Sequence, residues 1–135
     1  MRTTSLAMLA LSGAVLAAPA ARAQEGYAGS DLFKTYCASC HGAKAKGDGP
    51  LAESLRVRPP DLTRIGQRMG GFQADKVRRI IDGRSPVKGH GGADMPVWGD
   101  AFKSTHSGFS EADVKARIDA LVQHLEEIQE KSASK

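Results

Sequence analysis

The strongest periodicity in the chain lies near its C-terminal end. Val114, Ile118, Leu121, Val122, Leu125 and Ile128 recur at mostly three- and four-residue intervals, the spacing that gathers apolar side chains on one face of an α-helix. Ser110 and Asp113 ahead of the run resemble a capping box, with Asp in place of the usual Glu or Gln. A second stripe, Leu32, Phe33 and Tyr36, predicts an N-terminal helix from about Asp31 into Cys37–His41, with Ser30 as its cap and Asp31 at its positive end. A third, Val77, Ile80 and Ile81, predicts a helix over 73–82 that Gly83 stops. The last helix is expected to pack against the first, with Gly29 at their close approach. No alternating pattern predicts a strand, so the expected class is all-α, about four helices.

Between these elements the pattern is broken. Gly47-Asp48-Gly49-Pro50 and Pro59-Pro60 make 42–60 loop-like, with one helical turn over 51–55. Asp61 is a fair cap for a short helix over 61–68, which Met69-Gly70-Gly71 ends. The stretch 84–100 is rich in glycine and proline and reads as an ordered loop carrying Met95, Val97 and Trp98. Residues 130–135 are expected to fray.

Residues 1–23 read as a secretory leader. Arg2 supplies a positive start, 6–18 are apolar, and Ala21-Arg22-Ala23 offers an A-x-A site, so cleavage after Ala23 is expected. An uncleaved anchor competes less well, because of that site. No other stretch is long and apolar enough to cross a bilayer. The mature chain, 24–135, is then one small exported domain, and a bacterial periplasm is the expected destination.

Composition sharpens the picture in two places. Aromatic residues make up only 5% and there are two cysteines, so a domain of this size lacks much of the core it needs and would gain from a cofactor. The whole chain carries a net charge of +4, unevenly: 44–88 hold eleven Lys/Arg against five Asp/Glu, and 101–135 hold five against six. A basic face that steers an acidic partner and an ordinary solvated surface are both compatible with this. Aromatic interleaving is absent, so nucleic-acid binding is not expected.

The candidate chemistry is Cys37-Ala38-Ser39-Cys40-His41. C-x-x-C-H reads as a c-type haem attachment site. On a helix, positions i, i+3 and i+4 share a face, so one turn presents two thiols and an imidazole together. Both cysteines would form thioethers to one haem, and His41 would ligate its iron. Three other readings compete. A redox dithiol calls for a neighbouring βαβ pattern, and the segment before Cys37 looks helical. A zinc site needs about four ligands, and no second motif follows. A disulfide between residues three apart leaves His41 unexplained.

With its motifs assembled, the chain resembles the class I c-type cytochromes, small single-haem electron carriers. The likeness rests on Leu32-Phe33 ahead of Cys37–Gly42, Gly47-Asp48-Gly49-Pro50, Pro60-Asp61-Leu62-Thr63, and Asp94-Met95-Pro96-Val97-Trp98-Gly99. It implies a cytochrome c fold around one covalently attached haem c, with Met95 as the second axial ligand. A thioether is a soft ligand that raises the potential and favours electron transfer. Met69 is the rival methionine, and His90, His106 and His124 would make a bis-histidine site instead. The family also places a proline carbonyl behind the ligating histidine, which maps to Pro50, with Pro60 as the alternative. Trp98 is expected on the haem edge or at a propionate, and Arg58 and Arg64 are further propionate candidates.

The implied function is periplasmic single-electron transfer between redox partner proteins, without enzymatic turnover, with Lys44 and Lys46 as candidate partner contacts. A haem subunit of a periplasmic dehydrogenase or oxidase would share this chemistry. A five-coordinate haem enzyme or gas binder would require that Met95 does not ligate.

Overall fold

The computed structural model describes residues 27–84, 95–104 and 110–131. The expected leader over 1–23, His90 and His106 lie outside the described residues. Those residues form α1 (Gly29–Tyr36), α2 (Ala38–His41), α3 (Ile65–Met69), α4 (Ala74–Asp82), α5 (Trp98–Ser104) and α6 (Glu111–Glu127), with 3-10 turns at Ala52–Ser54 and Leu62–Arg64, and no strand occurs among them. The all-α class is as expected, and α1 with α2, α3, α4 and α6 fall where helices were expected.

α6 organises the rest. Its start is a full capping box: Ser110 Oγ accepts from the Asp113 N–H at 3.2 Å, and Asp113 Oδ2 accepts from the Ser110 N–H at 2.9 Å. Val114, Ile118, Leu121, Val122 and Leu125 are buried, and the helix packs against α1, α4 and α5. Leu32 and Phe33 from α1, Val77 and Ile81 from α4, and Phe102 from α5 complete the core, joined by Ala45 and Ile65.

α1 begins two residues earlier than expected. Ala28 is its N-cap without a side-chain bond, and Ser30 lies inside the helix. Gly29, now its first residue, lies at the crossing with α6. A Cβ on Gly29 would run into the carbonyl oxygen of Ala120 and come within 2.8 Å of His124 Cβ, so only glycine lets the two backbones meet. His124 sits on the inward flank of α6, its ring 5.4 Å from that of Phe33.

The elements between follow the sequence more closely. Asp61 caps the turn at Leu62–Arg64 by accepting from the Thr63 N–H at 2.9 Å. Gly83, at φ +70°, closes α4 in the left-handed conformation that glycine adopts without strain. α5 corrects the loop expected through residue 100. The Val97 carbonyl accepts from Asp100 and Ala101 N–H at 3.1 and 2.9 Å, which starts the helix, and Phe102 is 1% exposed.

Ion pairs join the basic middle of the chain to the acidic end. Arg84 pairs with Glu111 at 2.8 Å and Arg78 with Asp119 at 2.6 Å, while Lys46 and Arg64 both hold Glu130. Partly exposed pairs of this kind each contribute about 0–1 kcal/mol, so they orient α6 more than they stabilise it. The local excess of positive charge is thus partly neutralised within the molecule. Glu130 also corrects the frayed tail expected from residue 130. Its N–H donates to Thr63 O at 2.8 Å, and beside it Gln129 Oε1 accepts from Gly66 N–H at 2.9 Å while Nε2 donates to Leu62 O at 2.8 Å.

Candidate functional site

Cys37 sits at the joint between α1 and α2. It caps the end of one and the start of the other, and its N–H donates to Phe33 O at 2.9 Å. The Cys37 carbonyl in turn accepts from Cys40 and His41 N–H at 3.2 and 2.9 Å. The motif is therefore a helical turn continuous with the most deeply packed stretch of α1, where Phe33 is 2% exposed.

A helix leaves its last carbonyls without internal partners. In α2 all four are taken up by residues 42–51: Ala38 O accepts from Gly42 N–H at 2.9 Å, Ser39 O from Leu51 at 2.9 Å, Cys40 O from Gly49 at 3.2 Å and His41 O from Gly47 at 2.8 Å. The 42–51 segment is thus clamped to the back of the motif. Gly49 is required there, because a Cβ would lie 2.5 Å from Ser39 O and 2.7 Å from Ala38 O. Farther along, Ala45 O accepts from Leu62 N–H at 2.7 Å, and Lys46 bonds Thr63 Oγ1 at 2.9 Å as well as Glu130. The C-terminal end of the chain and the motif loop consequently brace each other.

Neither cysteine is in a disulfide, and both are half-buried. Burial, reinforced by the neighbouring Cys40, pushes the Cys37 thiol up to about 12. A redox dithiol works through a thiolate with a lowered pKa, so Cys37 is poorly suited to thiol–disulfide exchange. His41 is also half-buried, with Nδ1 inside the protein.

Other expected site residues gather around the same core. Cys37, Ala38, Tyr36, Met95 and Trp98 are all half-buried against it. Tyr36, Trp98 and Phe102 form an aromatic cluster with ring centroids 5.2–5.6 Å apart. Trp98 is therefore placed beside the residue that precedes Cys37. Met95 leads through Pro96 and Val97 into α5, whereas the rival Met69 ends α3 and also lies half-buried on the core. Pro50 is exposed in the turn that carries Gly49. Arg58 donates to Gly47 O at 3.3 Å, and Arg64 is committed to Glu130 at 2.8 Å. Lys46 is likewise engaged internally, which leaves Lys44 as the exposed lysine of that pair.

The residues present fit a covalently held haem. Two thiols and an imidazole share one rigid turn, a soft thioether and three aromatic rings face the same core, and several of these apolar groups are only half covered. The sequence pattern alone did not single out Phe102 or the role of Gly49. The Trp98–Phe102 spacing of four was the available signal for the first, and the Gly-x-Gly-Pro run for the second.

A family model described as Cytochrome c matches residues 27–127. No curated protein and no solved structure matches the chain.

Proposed function

The chain belongs to the cytochrome c family, and from that premise we propose that it is a periplasmic carrier of single electrons with His41 and Met95 as axial ligands of one haem c. Haem-based electron transfer on the all-α cytochrome c fold is what membership establishes. The finer reading is carried by one observation, the clamped turn that holds Cys37, Cys40 and His41 together on the core. Cys37 and Cys40 would hold the group through two thioethers, and His41 and Met95 would occupy its axial positions. Bound there, the group supplies an iron centre that alternates between ferrous and ferric states.

The protein's own part is rigidity. Hydrogen bonds fix α2 from behind, and the Tyr36–Trp98–Phe102 cluster ties its approach to the segment after Met95. Ligands carried on such a scaffold would keep their geometry in both oxidation states, so little reorganisation would accompany transfer. Pro50 is proposed to supply the carbonyl that accepts from His41 Nδ1–H, because a ligating imidazole donates its second N–H to a carbonyl or carboxylate. Trp98 is proposed at the haem edge. The leader, with its A-x-A site after Ala23, is the basis for export.

Optical spectra of the purified protein test the ligation. The wild type is expected to show a far-red Met–iron band when oxidised and to resist carbon monoxide when reduced. Met95→Ala is expected to lose the band and bind carbon monoxide. A band retained in Met95→Ala and lost in Met69→Ala would assign the ligand to Met69 instead.

The surface beside the motif supports transfer to a partner. Leu51 and Val57 are 50% and 53% exposed, and Lys44 and Arg56 are exposed nearby in sequence. Lys44→Glu is expected to slow oxidation by an anionic inorganic oxidant by roughly two- to five-fold at low salt, and by much less at ~1 M salt, where screening shortens to about 3 Å. Stopped-flow rates at the two ionic strengths, with Lys115→Glu as a remote charge control, measure this. An equal effect from both variants would mean that only net charge matters.

A further inference from the structure

Met95 opens the segment that leads into α5, and Arg84, just after α4, builds a bracket of ion pairs against that segment. Arg84 grips Asp82 as a fork, Nε to Oδ1 at 2.7 Å and Nη2 to Oδ2 at 2.9 Å. Its remaining nitrogen, Nη1, donates to Glu111 Oε2 at 2.8 Å, and Lys103 Nζ holds the other Glu111 oxygen at 2.6 Å. One guanidinium thus ties the end of α4 to the start of α6, and Glu111 ties in α5 through Lys103.

The segment after Met95 is laid directly on this bracket. Gly99, in the first turn of α5, is buried, and a Cβ there would collide with Arg84 Nε and Asp82 Oδ1. A Cβ on Gly83 would come within 3.2 Å of Val97 Cα. Met95 is therefore two residues from a backbone contact with the α4 terminus and four from a contact with the ion pair itself. Arg–carboxylate forks are the geometrically specific kind of ion pair, and Asp82 is held below its usual range first by this bond with Arg84. Arg78 provides a comparison within the same helix. Its guanidinium is directed to Asp119 of α6, at 2.6 Å, and to Asp75, rather than to the 95–99 segment.

We infer that Arg84 is a positioning residue for the Met95 ligand: its fork to Asp82 and bond to Glu111 form the seat on which the Met95–Gly99 segment rests. The inference rests on the assignment of Met95 as axial ligand. Without the seat, Met95 should leave its position before the rest of the fold opens.

The test tracks two signals on heating the oxidised, haem-loaded protein: the far-red Met–iron band, and the far-ultraviolet circular dichroism of the helices. In Arg84→Met the band is expected to vanish about 10 °C lower than in the wild type, while the helical transition falls by less than half as much. Arg84→Lys, which keeps the charge but not the fork, should lie between. Gly99→Ala, which presses a methyl into the fork, should act in the same direction as Arg84→Met. Arg78→Met should move both signals together. The inference is overturned if the two signals fall in step in Arg84→Met, if the band is unmoved, or if Arg78→Met separates them equally. A wild type with no far-red band would instead overturn the ligand assignment, and this inference with it.

Discussion

Replacing both Cys37 and Cys40 with Ser is expected to yield a chain that carries no covalent haem and shows no cooperative thermal transition. The first half follows from chemistry, since a serine hydroxyl does not form the thioether. The second follows from the core. Among the described residues its buried apolar side chains include two aromatic ones, Phe33 and Phe102, and Tyr36, Met69, Phe72, Met95 and Trp98 are half-covered around it. A domain of this size buries only part of the surface of its unfolded chain. Burying one further large aromatic or aliphatic side chain contributes about 1.5–3 kcal/mol, and a tetrapyrrole offers several times the apolar area of one such side chain. Losing it should be comparable to the ~5–15 kcal/mol by which domains are stable. Haem staining after denaturing electrophoresis reads the attachment, and a circular dichroism melt reads the fold. A haem-free variant that melted cooperatively near the wild-type temperature would show that the helices stand without the group.

What was legible in the sequence was local. The capping box at Ser110 and Asp113, the Asp61 cap and the Gly83 stop each depend on residues within four positions of one another, and each forms as its residues predict. Gly29 was legible for a different reason, as a residue with no Cβ placed ahead of an apolar helix face. What was not legible depends on distant partners. Lys46 reads as a surface lysine until Glu130, 84 residues away, is seen to bind it. Glu130 reads as tail for the same reason. α5 was hidden because Trp98 and Phe102 are too few to establish a period, and Gly99 between them argues against a helix until the Asp82–Arg84 pair beneath it is known. In the site, the thiols and the imidazole were plain from their spacing. The clamp of 42–51 on the carbonyls of α2 was not, because backbone hydrogen bonds leave little mark on side-chain pattern beyond Gly49.

Gly29→Ala is expected to destabilise the protein by about 2 kcal/mol, although the same change in most helices is favourable. Two effects oppose each other. Alanine is better than glycine inside a helix by about 0.5–1 kcal/mol, through propensity and a less disordered unfolded chain. Against this, the new methyl would sit on the Ala120 carbonyl oxygen and 2.8 Å from His124 Cβ. The first of these atoms is backbone in the middle of α6, so no rotamer change relieves the clash and the two helices must separate. Overpacking of this kind costs about 1–3 kcal/mol, and separation also uncovers Phe33, Leu121 and Leu125, which line the crossing or lie close to it. The steric effect should therefore win, lowering the melting temperature by about 10 °C for a domain of this size. Covalent haem should be retained, since Cys37 and Cys40 are untouched. Ser30→Ala supplies the control. Ser30 lies within α1 and makes no capping bond, so its loss should be neutral or slightly stabilising, whereas removing a true N-cap would cost about 1 kcal/mol. Thermal melts of the two variants side by side decide the matter: a Gly29→Ala protein as stable as the wild type would mean that α1 and α6 cross with more room than the structure shows.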